Sequence, residues 1–367
     1  MDTLVIGCGV SGLTCGVRLL EAGHRVTIWA RDLPPNTTSN AAAAVWEPYE
    51  AYPADRVAQW GRVAYHTFLE LAASAPAAET GILVTDVLEI LPEAATAPNW
   101  TAYVANFRPA QLDELPDGRV SGFTYRSPVI DMSRYLDYLL ARYRGLGGRI
   151  GQQVVGGFDE AFARWHEAFE GMEPEVDEDA RRVVVNCSGL GARELAGDDG
   201  VAAARGQVVR VAHTGFRMVL VENVKGRPTY VVPRISDIVL GGTFEVGAEH
   251  TAVDAATRAD ILLRCANLTL RADPRFAMSL AALAGGAIAQ DFAARVAPEH
   301  RDTPAATITS EGVGLRPISP RVRVEAERLA PGRVVVHDYG HGGAGVTLSW
   351  GCAGEVVTLV REAAATA

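Results

Sequence analysis

The chain is poor in cysteine, and its five cysteines (Cys8, Cys15, Cys187, Cys265, Cys352) form no C-x-x-C pair. That scatter excludes a zinc ribbon or a disulfide framework, and no metal site is expected. Cys8 and Cys187 sit in apolar runs and read as small core residues in a reducing compartment. Positive charge is also scarce: 34 Lys and Arg against 44 Asp and Glu leave a formal charge of −10. Neither nucleic acid nor an anionic membrane is then the expected partner. Long apolar runs are missing. The uncharged stretch 277–290 is broken by Gly285-Gly286 and falls short of the roughly 20 residues a membrane span needs. The N-terminus has no basic n-region before its apolar residues, and Ala363-Ala364-Ala365-Thr366-Ala367 forms no targeting signal. A soluble cytoplasmic protein is expected. No period of 20–50 residues repeats, which argues against a solenoid. What remains is 367 residues, 48% hydrophobic and 21% charged, enough for a large core in two lobes.

Glycine is placed where it carries information. Leu4-Val5-Ile6-Gly7-Cys8-Gly9-Val10-Ser11-Gly12 is an apolar strand running into G-x-G-x-x-G, followed by a helical pattern from about Ser11 to Ala22 that Gly23 ends. Arg25–Trp29 then reads as a strand, completing a β-α-β unit. Near the far end, Val334-Val335-Val336 leads through His337-Asp338-Tyr339 into Gly340-His341-Gly342-Gly343-Ala344-Gly345, and again a helix follows. One glycine turn at a helix N-terminus holds a pyrophosphate. A second suggests a cofactor with another electron-rich head, which points to FAD rather than a lone nucleotide. Between them, Pro34–Asn40 is a turn-rich loop, and Ala41-Ala42-Ala43-Ala44-Val45-Trp46 is small enough for backbone to approach a flat ligand.

The rest of the chain divides by pattern. Helices are expected over about 54–73, 133–144 and 254–268, and from Gly345 to Glu362, with short strands and loops between the first of these and Pro128. Val183-Val184-Val185-Asn186-Cys187 is a continuous apolar run, as in a strand covered on both faces. Met218–Val221, Thr229–Pro233 and Ile238–Gly241 look antiparallel. The fold class is therefore α/β: a Rossmann-like FAD-binding domain, discontinuous in sequence, with a second α+β domain on a mixed or antiparallel sheet. The expected division is 1–50, 133–208 and 306–367 for the cofactor, and 51–132 and 209–305 for the substrate.

Eight motifs in order resemble D-amino-acid oxidases and cover nearly the whole chain. They are Gly7-x-Gly9-x-x-Gly12, Thr37-Thr38-Ser39-Asn40-Ala41-Ala42-Ala43, Trp46-x-Pro48-Tyr49, Asn186-Cys187-Ser188-Gly189, Arg205-Gly206-Gln207, Tyr230-Val231-Val232-Pro233, Gly314-Leu315-Arg316-Pro317 and Tyr339-Gly340-His341-Gly342-Gly343-x-Gly345. The resemblance implies oxidation of D-amino acids to imino acids with non-covalent FAD, hydride leaving the α-carbon for flavin N5 and oxygen becoming hydrogen peroxide. It implies that Arg316 grips the substrate carboxylate with its planar fork. Tyr230 would meet the same carboxylate, and the Gly343 carbonyl would accept from the amine. The cofactor would lie against Gly7, Gly9, Val10, Ser11, Gly12, Arg31, Asp32, Thr37, Thr38, Ala43, Ala44, Val45, Val155, Ser188, Gly189, Gly342, Gly343, Gly345, Val346 and Thr347. The helix N-terminus near Gly345 would face the flavin pyrimidine, with Thr347 adding a hydroxyl donor. His341 reads as a structural hydrogen-bonding group of its loop rather than a base.

The chain departs from the pattern in places. A Rossmann strand usually ends in an acid for the adenosine ribose, but Arg31 stands there and Asp32 follows one residue late. Either Arg31 packs by the adenine while Asp32 reaches the ribose, or Arg31 meets a 2′-phosphate and the protein is an NADP-dependent reductase. The segment 221–229, which corresponds to the lid of animal relatives, is short and has no tyrosine. Val45 and Glu47 correspond to pocket-lining positions. If Glu47 faces the pocket, neutral or basic side chains are favoured; if Lys225, Arg227 and Arg234 do, D-aspartate is. The alternatives are thus a D-aspartate oxidase or a glycine- or sarcosine-type amine oxidase of the same fold. The expected partners are a small D-amino acid and O2, for a monomer or homodimer.

Overall fold

The structure, a computed structural model, describes residues 1–91, 97–171, 182–224 and 226–365. Fifteen strands form two sheets among these residues. In chain order they are β1 (Asp2–Ile6), β2 (Arg25–Ala30), β3 (Ile82–Leu91), β4 (Ala105–Pro109), β5 (Ser121–Ile130), β6 (Arg149–Gln152), β7 (Arg182–Asn186) and β8 (Ala202–Val211). There follow β9 (Val219–Glu222), β10 (Thr229–Pro233), β11 (Ile238–Gly241), β12 (Glu245–Val246), β13 (Ile308–Ile318), β14 (Arg323–Ala330) and β15 (Arg333–Tyr339).

The smaller sheet has the order β14-β15-β7-β1-β2-β6. Its five strands from β15 to β6 run parallel, and β14 adds an antiparallel edge. Strands covered on both faces need apolar residues at successive positions, which Val183-Val184-Val185 supplies. Alternation then sorts them. Val183 and Val185 face the large core with Val5, Val26, Ile28, Val334 and Val336, while Val184 points the other way with Leu4, Ile6, Trp29, Val335 and Trp165. All three valines are fully buried. The helix Val10–Glu21 connects β1 to β2 and packs on the last helix, Gly345–Ala365, which packs in turn on the helix Ala54–Ser74. The sheet gathers strands from the start, middle and end of the chain.

The larger sheet has the order β12-β8-β11-β10-β9-β3-β5-β4, with β13 also paired to β8. It is mixed: β3 and β9 run parallel and every other pair is antiparallel. Here the structure corrects the expectation of short strands before Pro128. β3 and β5 are ten residues each and pair along their whole length. Polar residues within them, such as the exposed Asp86 and its half-buried cross-strand neighbour Arg126, mask the strand pattern locally. The helices Ala255–Thr269, Pro274–Ala284 and Gly286–Ala293 cover one face of this sheet with their own core cluster. β13 and all but the last three residues of β8 come from the ranges 133–208 and 306–367, and both strands pair within the larger sheet. Among the described residues, no helix is long and apolar enough to cross a membrane.

Candidate active site

Both glycine turns open onto one cavity of about 860 Å³. The first turn is shaped by steric need. Gly7 has φ +113°, where L side chains are strained, and a Cβ there would overlap the Cys187 carbonyl. A Cβ on Gly12 would overlap the Gly7 carbonyl, so Gly12 lets the helix Val10–Glu21 sit tightly on its strand. Gly12 packs rather than lining the cavity. The second turn is held by Gly342, at φ +57°, whose Cβ would overlap the Glu50 carbonyl. Its N–H donates to Pro317 O at 3.0 Å, and Gly343 beside it is exposed. The last helix begins two residues later at Gly345.

Apart from Gly12, every residue expected to hold the cofactor or the substrate's carboxylate and amine lines this cavity, from Arg31 and Asp32 beyond β2 to Tyr230 and Arg316. Some of their polar groups are already committed. The Val10 N–H donates to Ser39 Oγ at 3.0 Å, latching the 38–41 turn onto the first helix. Thr347, expected as a hydroxyl donor to the flavin, instead directs its proton to Glu47 O at 2.9 Å and accepts from Glu47 N at 3.2 Å. Arg31 Nε donates to Asp32 Oδ2 at 2.7 Å, and both side chains are largely exposed. His341 is buried with Nε2 3.0 Å from Asp338 Oδ1, a hydrogen bond within its loop. Cys15 donates to Asp338 Oδ2 at 3.2 Å, and burial pushes that thiol well above its ordinary range.

The other end is built on the larger sheet. Arg316 projects from β13 over Gly206 of β8, its register neighbour through Gly314, and a Cβ on Gly206 would overlap the guanidinium. Arg316 Nη1 donates to Thr243 O at 3.1 Å, and the guanidinium lies 5.5 Å from the Phe244 ring centre. Nearby arginines are neutralised: Arg234 by two 2.8 Å bonds to Asp237, and Arg205 by Glu245 at 3.1 Å. Among the described residues, Arg316 forms no ion pair with a carboxylate. It is a cation in a cavity wall without a counter-ion, which an anionic ligand group would complete. Tyr230 of β10 stands in the same wall, pressed against Gly241 and Gly242. Burial raises its hydroxyl above the ordinary tyrosine range, against the pull of Arg316. It is therefore a protonated donor at neutral pH.

Known proteins resemble this chain over nearly its whole length. The family model described as FAD dependent oxidoreductase matches residues 2–359. A D-amino-acid oxidase of Rubrobacter xylanophilus is 43% identical over 98% of this chain and 96% of its own length. One of Dictyostelium discoideum is 36% identical over 99% and 92%. The chain belongs to the FAD-dependent oxidoreductase family. The fold agrees with that of a glycine oxidase from Geobacillus kaustophilus, with a TM-score of 0.69 at 17% identity over 98% of this chain and 94% of that one.

Members of this family use FAD, and the residues here fit it. Two glycine turns at two helix N-termini serve a pyrophosphate and a second electron-rich head, and the cavity joining them has room for an elongated ligand. The NADP alternative raised by Arg31 falls away with family membership. The cationic reading of the substrate end finds less support. Arg234 is occupied by Asp237, Arg227 is ion-paired to Asp260, and neither lines the cavity, while Lys225 lies outside the described residues. Glu47 does line the cavity, together with Asn223 and Val45.

Sequence reasoning missed several site residues. Phe244 under Arg316 carries no motif of its own, and Tyr49, which stands in Trp46-x-Pro48-Tyr49 but was given no role, packs edge-on to it with ring centres 5.9 Å apart. Gly206 was visible within Arg205-Gly206-Gln207, but its task, clearing space for Arg316, depends on the β8–β13 register. Glu89 could not be found from sequence. It is 6% exposed on β3, next to Tyr125, and reaches Glu47 only through the pairing of β3 with β9.

Proposed function

We propose that the protein oxidises D-amino acids to imino acids, which hydrolyse to 2-oxo acids and ammonia, with O2 reduced to hydrogen peroxide. The observation that carries this reading is Arg316, an unpaired guanidinium beside a protonated Tyr230, opening on the cavity that both glycine turns share. When bound, FAD supplies a two-electron acceptor for the α-hydrogen. The chain's own residues do the rest. Arg316 binds both carboxylate oxygens through its fork, and Tyr230 donates to one of them. The exposed Gly343 accepts from the α-amine through its carbonyl, which fixes the third point of attachment and so the hand of the substrate. The first backbone N–H groups of the Gly345–Ala365 helix point their dipole into the cavity, where they favour negative charge. No base is needed, because the amine can lose its proton to water before binding.

In this reading Gly7, Gly9, Ser11 and their loop partners Thr37 and Thr38 hold the phosphates, and Asp32 reaches the ribose. Ala43, Ala44, Val45, Val155, Ser188 and Gly189 flank the rings, with Gly342, Gly345 and Val346 at the far turn. The chain divides accordingly into a cofactor part (1–50, 133–208, 306–367) and a substrate part (51–132, 209–305), with β8 and β13 reaching between them. It works in the cytoplasm as a monomer or homodimer, and neutral or basic side chains are preferred over acidic ones.

A panel of D- and L-amino acids with peroxide detection tests this directly. The purified protein should be yellow, absorbing near roughly 450 nm through its flavin, and should release peroxide with D-isomers alone. A flavin-loaded protein that releases peroxide with glycine or sarcosine but with no D-amino acid would refute it.

A further inference from the structure

Two carboxyl groups act on each other at the substrate end of the cavity, and among the described residues no cation is paired with either. Glu47 lines the cavity and accepts from Asn223 Nδ2 at 2.5 Å. Its backbone is pinned on both sides of the peptide unit by Thr347, so the side chain stays in the wall. Glu89 lies behind it, almost fully buried, and accepts from Tyr125 at 3.4 Å. The other titratable or charged groups around this spot are Tyr49 two residues on, Tyr125 of β5, and Tyr230 and Arg316 across the cavity. All three tyrosines are held protonated by burial, and Arg316 serves the substrate carboxylate. Among the described residues, neither Glu47 nor Glu89 forms an ion pair.

We propose that Glu47 reads the substrate side chain and that the pocket takes D-amino acids ending in a guanidinium or ammonium group, whose cation completes the Glu47–Glu89 pair. The inference rests on the D-amino-acid oxidase reading above and names its substrate class. A long cationic side chain anchored at its α-carboxylate by Arg316 would extend along the cavity toward the opposite charge. A neutral isostere fills the same space without that attraction, and an acidic side chain is repelled.

The pair also makes the preference depend on pH. Burial first, and the Glu89 carboxylate second, push the Glu47 carboxyl up to about 8, and burial pushes Glu89 up to about 7. Below that range Glu47 is protonated in the free enzyme and attracts a cation weakly. As pH rises it ionises, while a guanidinium stays charged throughout. Selectivity for the cation therefore increases with pH, and a cationic ligand bound near pH 7 expels a proton.

The experiment compares D-arginine with D-citrulline, its neutral isostere, in the holoenzyme from pH 6 to 9. The two share the α-amine and α-carboxylate, so changes at Arg316, Tyr230 and the amine cancel in the ratio of kcat/KM values. The ratio should exceed one and rise by at least about tenfold, since roughly 1% of a carboxyl with a pKa of 8 is ionised at pH 6. E47Q should flatten the rise. E89Q, which leaves Glu47 in place, should move the rise to lower pH. As a readout that needs no turnover, calorimetry at pH 7 in two buffers should show 5-guanidinopentanoate releasing a proton on binding. 5-Ureidopentanoate should release none, and neither ligand should release one from E47Q. A wild-type ratio that is flat with pH or below one would overturn the inference, as would a rise that survives E47Q. If no D-amino acid yields peroxide, it is the oxidase reading that fails; if D-citrulline is oxidised and the ratio stays flat, this inference alone fails.

Discussion

Replacing Arg316 by lysine separates the guanidinium's shape from its charge. Among the described residues Arg316 has no carboxylate partner and one backbone acceptor, Thr243 O at 3.1 Å. Most of its donors are thus left for a ligand. Two parallel charge-assisted bonds can form to a substrate carboxylate, each contributing about 1.5–3 kcal/mol net. Lysine supplies a point charge that makes one of them well. Losing the other should lower kcat/KM for any D-amino acid by about 10- to 150-fold, at about 1.4 kcal/mol per decade. The loss should fall on both KM and flavin reduction, because a carboxylate held at one point lets the α-carbon wander. Stability should barely change. No acid is orphaned by the substitution, so Tm should stay within about 2 °C of wild type. Anaerobic stopped-flow bleaching of the flavin against substrate concentration, with peroxide release in parallel, gives all three numbers. Wild-type kinetics in Arg316→Lys would show that the substrate carboxylate is held elsewhere. An unfolded or flavin-free variant would show that Arg316 is structural.

Two further outcomes follow from the geometry. Gly206→Ala places a Cβ where the Arg316 guanidinium lies, and the flexible end of that side chain is what must give way. KM should therefore rise by about tenfold or more with flavin content unchanged, and equal KM values would break the link between Gly206 and the clamp. Glu47 and Glu89 have folded-state pKa values raised to about 8 and about 7 by burial, above the roughly 4.3 of an unfolded chain. Their protonated forms thus favour folding, an effect fully present below the unfolded value and lost as pH climbs through 7 and 8. Scanning fluorimetry at pH 5 and pH 9 should show Glu89→Gln gaining Tm over wild type mainly at pH 9; a gain of the same size at both pH values would contradict this.

Local chemistry determined much of this protein before any folding is considered. Gly7-x-Gly9-x-x-Gly12 after an apolar strand dictates a turn at a helix N-terminus, because Gly7 takes a positive φ and no side chain at Gly12 fits over the Gly7 carbonyl. Val183-Val184-Val185 could only be a strand buried on both faces. The second glycine run announced the second helix, and the ordered motifs named the family. Tertiary structure decided the rest, since those facts depend on which strands become neighbours. β3 and β5 lengthen to ten residues because they pair with each other, which their half-polar sequences do not declare. The β8–β13 register alone puts Gly206 beneath Arg316. Thr347 turned to Glu47 because its helix lies against that loop, 300 residues away in sequence. Glu89 became a buried carboxyl behind the pocket through the parallel pairing of β3 with β9. A residue's type and local spacing fix its own backbone and its donor set; what that donor set meets is fixed by packing between segments distant in the chain.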